Sequence, residues 1–346
     1  MSPTFDKPLS DGFASVPGYM DTASVGLPAR AATKALRARL EGWETGQDRP
    51  DSFDPDIERA RVAFAHIVGT DLASVGVVSQ VSVVSGLVAS SLPDSAVVLC
   101  AEEDFTSVLF PFFADDRLRV RAVPLDKLLD SIDDDVDLVA VSAVQSADGR
   151  VVDLDELSLR AERIGARTYV DTTQGAGWLP IQADRFDVTA CHAYKWLCSP
   201  RGAGFLTVSK DAKTWLVPNY AGWFAGEDPW TSIYRPPLRL AADARRFNAS
   251  PAWFSYAAAA PTLEILADLG PRAIGEHDVG LANLLRVSLG LDPSNTAIVS
   301  LETPYAAELR DAGITAATRA GRVRMSFHLY NTTADVEMAV RILRTI

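Results

Sequence analysis

Val188-Thr-Ala-Cys-His192-Ala-Tyr194-Lys195, followed by Trp196-Leu-Cys-Ser-Pro-Arg-Gly-Ala-Gly204-Phe-Leu, sets a lysine between a short apolar, β-branched run and a Gly-rich run. The first run reads as a strand and the second as the turn that leaves it. A lysine at that junction is not an ordinary solvated one. Upstream, the run Arg167-Thr-Tyr-Val-Asp171-Thr-Thr-Gln174 ends a second apolar strand in an acid and an amide.

Those residue types answer to one chemistry. A coenzyme held as a Schiff base needs an amine that can lose its proton near neutral pH, and burial of a lysine makes that possible. It also needs a carboxylate against a pyridine nitrogen, because a protonated ring is the better electron sink for a carbanion at a substrate's Cα. Taken singly, Lys195 is a strand-end lysine and Asp171 a cap or turn acid. At the ends of successive strands, with Gln174 three residues beyond the acid, they read together as a pyridoxal phosphate site.

A chain of 346 residues is long enough for about two domains and a large core, and its 48% hydrophobic and 23% charged content is that of a globular protein. A net charge of -12 leaves no basic surplus to neutralise phosphates, which argues against a nucleic-acid partner. Cys100, Cys191 and Cys198 form neither a disulfide framework nor a zinc pattern. Cys191 and His192 are strand neighbours and point to opposite faces, so no metal is expected. Residues 1–18 show neither the basic start nor the apolar stretch of a leader, and no window reaches the length of a membrane span. A cytoplasmic, reduced protein with no membrane partner is the expectation.

Seven runs rich in Val, Ala and Leu lie at 75–78, 96–101, 120–123, 136–144, 167–171, 188–190 and 202–208. Runs apolar on both faces predict buried strands of a mostly parallel sheet, and their alternation with helical stretches is the pattern of an α/β fold. Helices are expected at 83–92 and at 154–164, the latter opened by the acidic turn Asp153-Leu-Asp155-Glu156. An Ala-rich helix is expected at 255–269, where Pro261 should kink or split it, and another closes the chain at 334–343. Pro, Gly and aromatic residues at 218–223 and 229–237 suggest an irregular connection over an active-site mouth. The predicted division is an N-terminal segment, 1–50, whose amphipathic helix at 28–43 packs with the small domain; a large coenzyme-binding domain, 51–235; and a small C-terminal α/β domain, 236–346.

The chain resembles the class V aminotransferase family of fold type I pyridoxal phosphate enzymes, which includes cysteine desulfurases, kynureninases and isopenicillin epimerase-like proteins. The marks are Tyr19-Met-Asp21-Thr-Ala-Ser24-Val-Gly26-Leu-Pro28, Asp171-Thr-Thr-Gln174, Tyr194-Lys195 and Arg324-Met-Ser326-Phe-His-Leu-Tyr330-Asn331-Thr332. The resemblance implies that Arg324 binds the substrate's α-carboxylate, a role suited to a planar guanidinium that cannot lose its charge. The coenzyme phosphate would sit at Ser79-Gln80-Val81-Ser82, a turn entering a helix, on the Val81 and Ser82 amides and the Ser82 hydroxyl. The resemblance further implies that Tyr194 reaches the phosphate in a kynureninase-like way, with His192 assisting, and that Phe105 covers the coenzyme ring. Gln174 would bond the ring's phenolic oxygen, together with Gln145 or Ser146. Trp43, Trp223, Trp230 and Trp253 are candidates for an apolar lining.

Two departures shape the functional expectation. The loop at 309–321 contains no cysteine, so the persulfide-carrying thiol of a desulfurase is missing. Where relatives place a threonine that reaches a partner subunit's phosphate, this chain has Phe247-Asn248-Ala-Ser250-Pro251, in which Asn248 or Ser250 would have to substitute. The expected protein is a homodimeric pyridoxal phosphate enzyme acting at the Cα of an amino acid, an aminotransferase first. A lyase performing β- or γ-elimination, a racemase or epimerase, and a coenzyme-binding relative without turnover are the alternatives.

Overall fold

All seven expected runs become strands, and all seven lie in one sheet. The computed structural model describes residues 5–237 and 239–344. The strands are β1 (Val75–Val78), β2 (Val97–Ala101), β3 (Arg119–Val123), β4 (Leu138–Ser142), β5 (Arg167–Asp171), β6 (Val188–His192) and β7 (Gly204–Val208), in the spatial order β1-β7-β6-β5-β4-β2-β3. Neighbours from β3 through β6 pair in parallel, whereas β7 runs antiparallel to both β6 and β1. β1 therefore points the same way as β2 to β6, and only β7 is reversed. The last strand begins at Gly204, not at 202, because Gly202 has a φ of 106° and cannot be extended.

Ten helices are described: α1 (Arg30–Glu44), α2 (Asp54–Val68), α3 (Val81–Ser91), α4 (Thr106–Phe113), α5 (Leu154–Ile164), α6 (Ala212–Trp215), α7 (Trp253–Leu269), α8 (Pro271–Ser288), α9 (Ala306–Asp311) and α10 (Thr333–Leu343). Alternation along the strands sends their side chains to two cores. Val77, Leu99, Val141 and Val170 pack with Phe64 of α2, Leu157 of α5 and Leu263 of α7, whereas Val98, Ala140, Tyr169 and Ala190 pack with Val84 of α3 and Phe112 of α4. The result is a three-layer α/β/α unit. α7 runs unbroken across Pro261, its buried alanines packed against α1 and α2, so one missing hydrogen bond does not split it.

A second antiparallel sheet, β8 (Ile298–Leu301), β10 (Arg322–Ser326) and β9 (Ala317–Arg319), packs with α8 and α10 around Met325, Val299, Leu281 and Val336. The segment before α1 is threaded along this small unit. Met20 enters its core, and Tyr19 and Asp21 form bridges to Thr315 and Ser326. α1 does not pack on this sheet; it packs on α7, a helix inside the 236–346 span expected for the small domain. Its buried Ala32 and half-buried Leu36 join the core built by α2 and α7.

Candidate active site

The strand directions bring the chemistry-bearing residues to one edge. Because β1 to β6 share a direction, the turns at their carboxyl ends gather along a single rim, where ligands of open α/β sheets bind. The register aligns those ends: Ser142 lies opposite Asp171, Asp171 opposite Ala190, and both His192 and Val78 opposite Gly204. A cavity of about 170 Å³ opens there, lined by Gln80 and Val81 after β1, Phe105 after β2, Ser142 at the end of β4 and Ser146 beyond it, Asp171 at the end of β5 and Gln174 beyond it, and His192 at the end of β6 with Tyr194 and Lys195 beyond it.

Lys195 is buried, and its backbone is held on all sides. Three successive carbonyls accept hydrogen bonds: Tyr194 O from Gly26 N–H at 2.9 Å, Lys195 O from Cys198 N–H at 3.0 Å, and Trp196 O from His328 Nε2 at 2.9 Å. Gly26 is required by this approach, since a Cβ there would lie 2.0 Å from Lys195 O. The amine stands 5.4 Å from the centre of the Phe105 ring and 5.7 Å from that of Tyr194, and no hydrogen bond or ion pair engages it among the described residues. Burial pushes Lys195 down to about 8; Asp171 opposes that shift, while Arg324 and Arg319 add to it.

Asp171 is equally buried. Burial pushes its carboxyl up to about 6, against the Thr173 N–H donated to Oδ1 at 2.8 Å and the attraction of Lys195. A second carboxylate, Asp104, lies buried one residue before Phe105. It accepts hydrogen bonds from Ser142 N–H at 2.7 Å, from the Ser142 hydroxyl and from Phe105 N–H at 2.8 Å, and it raises Asp171 further. Asp104 was passed over in the sequence, although it follows an apolar strand as Asp171 ends one; that shared signal could have found it.

The remaining expected residues fall into place unevenly. Phe105 is 46% exposed and faces Lys195 across the cavity, so it is not a core residue. Tyr194 lies edge-on to His192 at 4.5 Å, with the Arg201 guanidinium 5.2 Å above its ring. Burial, with Arg201 and Lys195 adding to it, pushes His192 down to about 4, so the imidazole is neutral. Val81 lines the cavity at the first turn of α3, where the Val81 and Ser82 amides have no intrahelical partner; Ser82 itself does not line it. Gln174 lines it too, but both of its amide hydrogens are engaged, by Ala23 O at 3.0 Å and Ser146 Oγ at 3.1 Å, while its Oε1 accepts from Trp196 Nε1–H at 2.8 Å. Its amide therefore braces the site between three segments.

Arg324 is 1% exposed and lies against the cavity lining through Ser146. Its guanidinium donates to Ser146 O and to Ser24 Oγ at 2.7 Å, with Asp21 Oδ1 at 3.6 Å, and its Nε has no hydrogen-bond partner among the described residues. Burial pushes it down to about 10, which Asp21 resists. Of the two alternatives at the end of β4, Ser146 lines the cavity and Gln145 does not. The four tryptophans proposed as a lining do not line this cavity: Trp43 and Trp253 pack on Phe254 and Phe53, and Trp223 on Trp230. Asn248 is buried and accepts Val77 N–H at 2.8 Å, so it is a strut of this chain and not a substitute reaching a partner's phosphate.

The residues present fit pyridoxal phosphate. A partnerless buried amine, a carboxylate on the neighbouring strand end, an aromatic ring over the amine and a helix N-terminus meet in one cavity. The sequence profile described as Aminotransferase class-V matches residues 115–305. The chain is 29% identical over 309 residues to a Bacillus subtilis protein named "Uncharacterized aminotransferase YcbU", spanning 82% of each. It is 24% identical over 315 residues to a kynureninase of Salinispora tropica, spanning 80% of this chain and 72% of that one. Among solved structures, the cystine C-S lyase C-DES with its product cysteine persulfide superposes with a TM-score of 0.83 at 18% identity, over 95% of this chain and 98% of that one, which shows a shared fold. The protein belongs to the class-V aminotransferase family of fold type I enzymes, and its coenzyme is pyridoxal phosphate.

Proposed function

We propose that the protein is an aminotransferase that carries pyridoxal phosphate on Lys195 and takes a small amino acid whose α-carboxylate is met by Arg324. The observation that carries this reading is the Lys195 amine, buried, without a partner and pushed down to about 8. Such an amine is neutral in a usable fraction near physiological pH and can both accept and return a proton. Asp171 would face the pyridine nitrogen, Phe105 the ring, and Val81, Ser82, Tyr194 and His192 the phosphate end, with Gln174 and Ser146 bracing the opposite side. When bound, the coenzyme supplies the electron sink that lets a proton leave the substrate's Cα. Lys195 holds and moves that proton, and the burial of Lys195 and Asp171 keeps water from competing. Two observations support transamination over desulfuration: the relative matched over 82% of both chains is named an aminotransferase, and the loop at 309–321 lacks a cysteine.

The test is an amino-acid panel assayed for oxo-acid formation with and without a second oxo acid. Transamination requires the acceptor. Product formed without it, with ammonia or sulfur released, makes the protein a lyase, and loss of optical activity alone makes it a racemase or epimerase. On the preferred amino acid, Arg324→Gln should raise KM about 10–100-fold, the worth of a charge-assisted bidentate contact; an unchanged KM would remove Arg324 from substrate binding.

A further inference from the structure

Directly behind the lysine loop lies a buried charge cluster that the chemistry above does not use. His328 and Asp278 are wholly buried and His277 nearly so. His328 Nδ1 is 2.8 Å from Asp278 Oδ2, His328 Nε2 is 2.9 Å from Trp196 O, and His277 Nδ1 is 2.9 Å from Asp278 Oδ1. The contacts suit a ring with a hydrogen on each nitrogen. A backbone carbonyl only accepts, so Nε2 carries a hydrogen. A carboxylate that faces two imidazole nitrogens is satisfied as an ionised acceptor, so Nδ1 carries one as well. A neutral imidazole has one N–H and keeps both bonds only if the proton sits on the carboxyl group instead.

We propose that His328 is a positioning residue for Lys195: a doubly protonated imidazolium, pinned by Asp278, whose Nε2–H holds the carbonyl of the residue that follows the lysine. Among the three carbonyls clamped around Lys195, Tyr194 O and Lys195 O are held by backbone amides of residues 26 and 198, and only Trp196 O is held by an ionisable side chain, one that comes from the C-terminal unit. The Cys198 thiol makes a longer contact of 3.8 Å to the same carbonyl. The Trp196 ring is locked as well, by Gln174 Oε1 on its Nε1–H and by the His328 ring edge-on at 5.4 Å. A small tilt of this peptide would swing Lys195, and misplacement by about 1 Å can cost ~10²-fold in rate. The groups that face the imidazole are Asp278 of α8, which also holds His277, Cys198 of the lysine loop and Tyr330 of its own segment. Burial alone would push the ring down, but Asp278 and Cys198 carry it up to about 10.

The inference rests on Lys195 as the coenzyme lysine, which is tested separately by loss of the coenzyme adduct in Lys195→Ala. In the holoenzyme labelled with ¹⁵N-histidine, the chain's four histidines can be followed individually. One ring, assigned as His328 by elimination with His66→Gln, His192→Gln and His277→Gln, should remain doubly protonated through about pH 9. A His328 that titrates near the ordinary imidazole value overturns the proposal. In His328→Gln, kcat should fall about 10–100-fold with KM within about threefold, and the pH midpoint of the bound coenzyme's absorbance should move. A variant that loses thermal stability yet keeps kcat and that midpoint would show the cluster to be structural only. If His328→Gln does not fold, the titration of the unmodified protein decides.

Discussion

Two buried cations lie on either side of Trp196, and their surroundings treat them in opposite ways. Lys195, on the rim of the large sheet, is pushed down to about 8, whereas His328, on the small unit, is pushed up to about 10. Burial disfavours the charge in both. The difference is contact: His328 has a carboxylate at 2.8 Å that two imidazoles share, while Asp171 reaches Lys195 only through the field across the cavity. Geometry decides whether a buried cation is kept as charge or readied to give it up. The pH signs also oppose. His328, raised from 6.5, contributes stability that is fully present below 6.5 and is lost as pH rises towards 10. Lys195, lowered from 10.5, imposes a cost that is present below about 8 and is relieved as pH climbs to 10.5.

The most severe way to break this contrast is to remove the amine. Lys195→Ala should abolish the borohydride-reducible coenzyme adduct and lower turnover by about 10³-fold or more; the same adduct surviving would place the lysine elsewhere. Asp171→Asn comes next, with turnover falling about 10²–10³-fold because an amide cannot hold a pyridine nitrogen protonated. Its effect on the coenzyme-free protein has the opposite sign. Asp171 is raised from 3.8 to about 6, so ionising it costs stability above pH 6, a cost that is absent below 3.8. The asparagine variant should therefore unfold later by on the order of 1–3 kcal/mol at neutral pH, with the gain vanishing near pH 4 in parallel denaturant titrations. No gain at neutral pH would mean that the carboxylate is already neutral or well solvated.

The smallest expected effect tests the loop and leaves both cations in place. In Gly26→Ala the new Cβ meets Lys195 O and, at 2.8 Å, Cys198 Sγ, so the loop must shift. Turnover should drop about tenfold, with coenzyme still bound covalently. Wild-type turnover in that variant would show that the clamp on the lysine loop is slack.

The strands were legible because they are apolar on both faces, a local property that survives any partner choice. Asp171 and Lys195 were legible for a related reason: a polar group ending an apolar run stands out against it. Arg324 was found through its motif, but its surroundings were not. Ser24 lies 300 residues away along the chain, and nothing near it in sequence announces the contact. Phe105 could have been read as core, and its exposure over the cavity settles its position.

His328 shows the limit most plainly. The string that carries Arg324 contains it, yet as a residue type it says nothing of its charge. The sequence by itself determined the α/β class, the order of the strands along the chain and which strand ends carry an acid and an amine. Only the tertiary structure decided that β1 reaches the same rim through a reversed neighbour, that α1 packs on α7, and that an aspartate from α8 meets a histidine behind Trp196. The physical reason is the range of the forces. Periodicity and propensity act over a few residues, whereas burial and charge pairing depend on which distant segments meet.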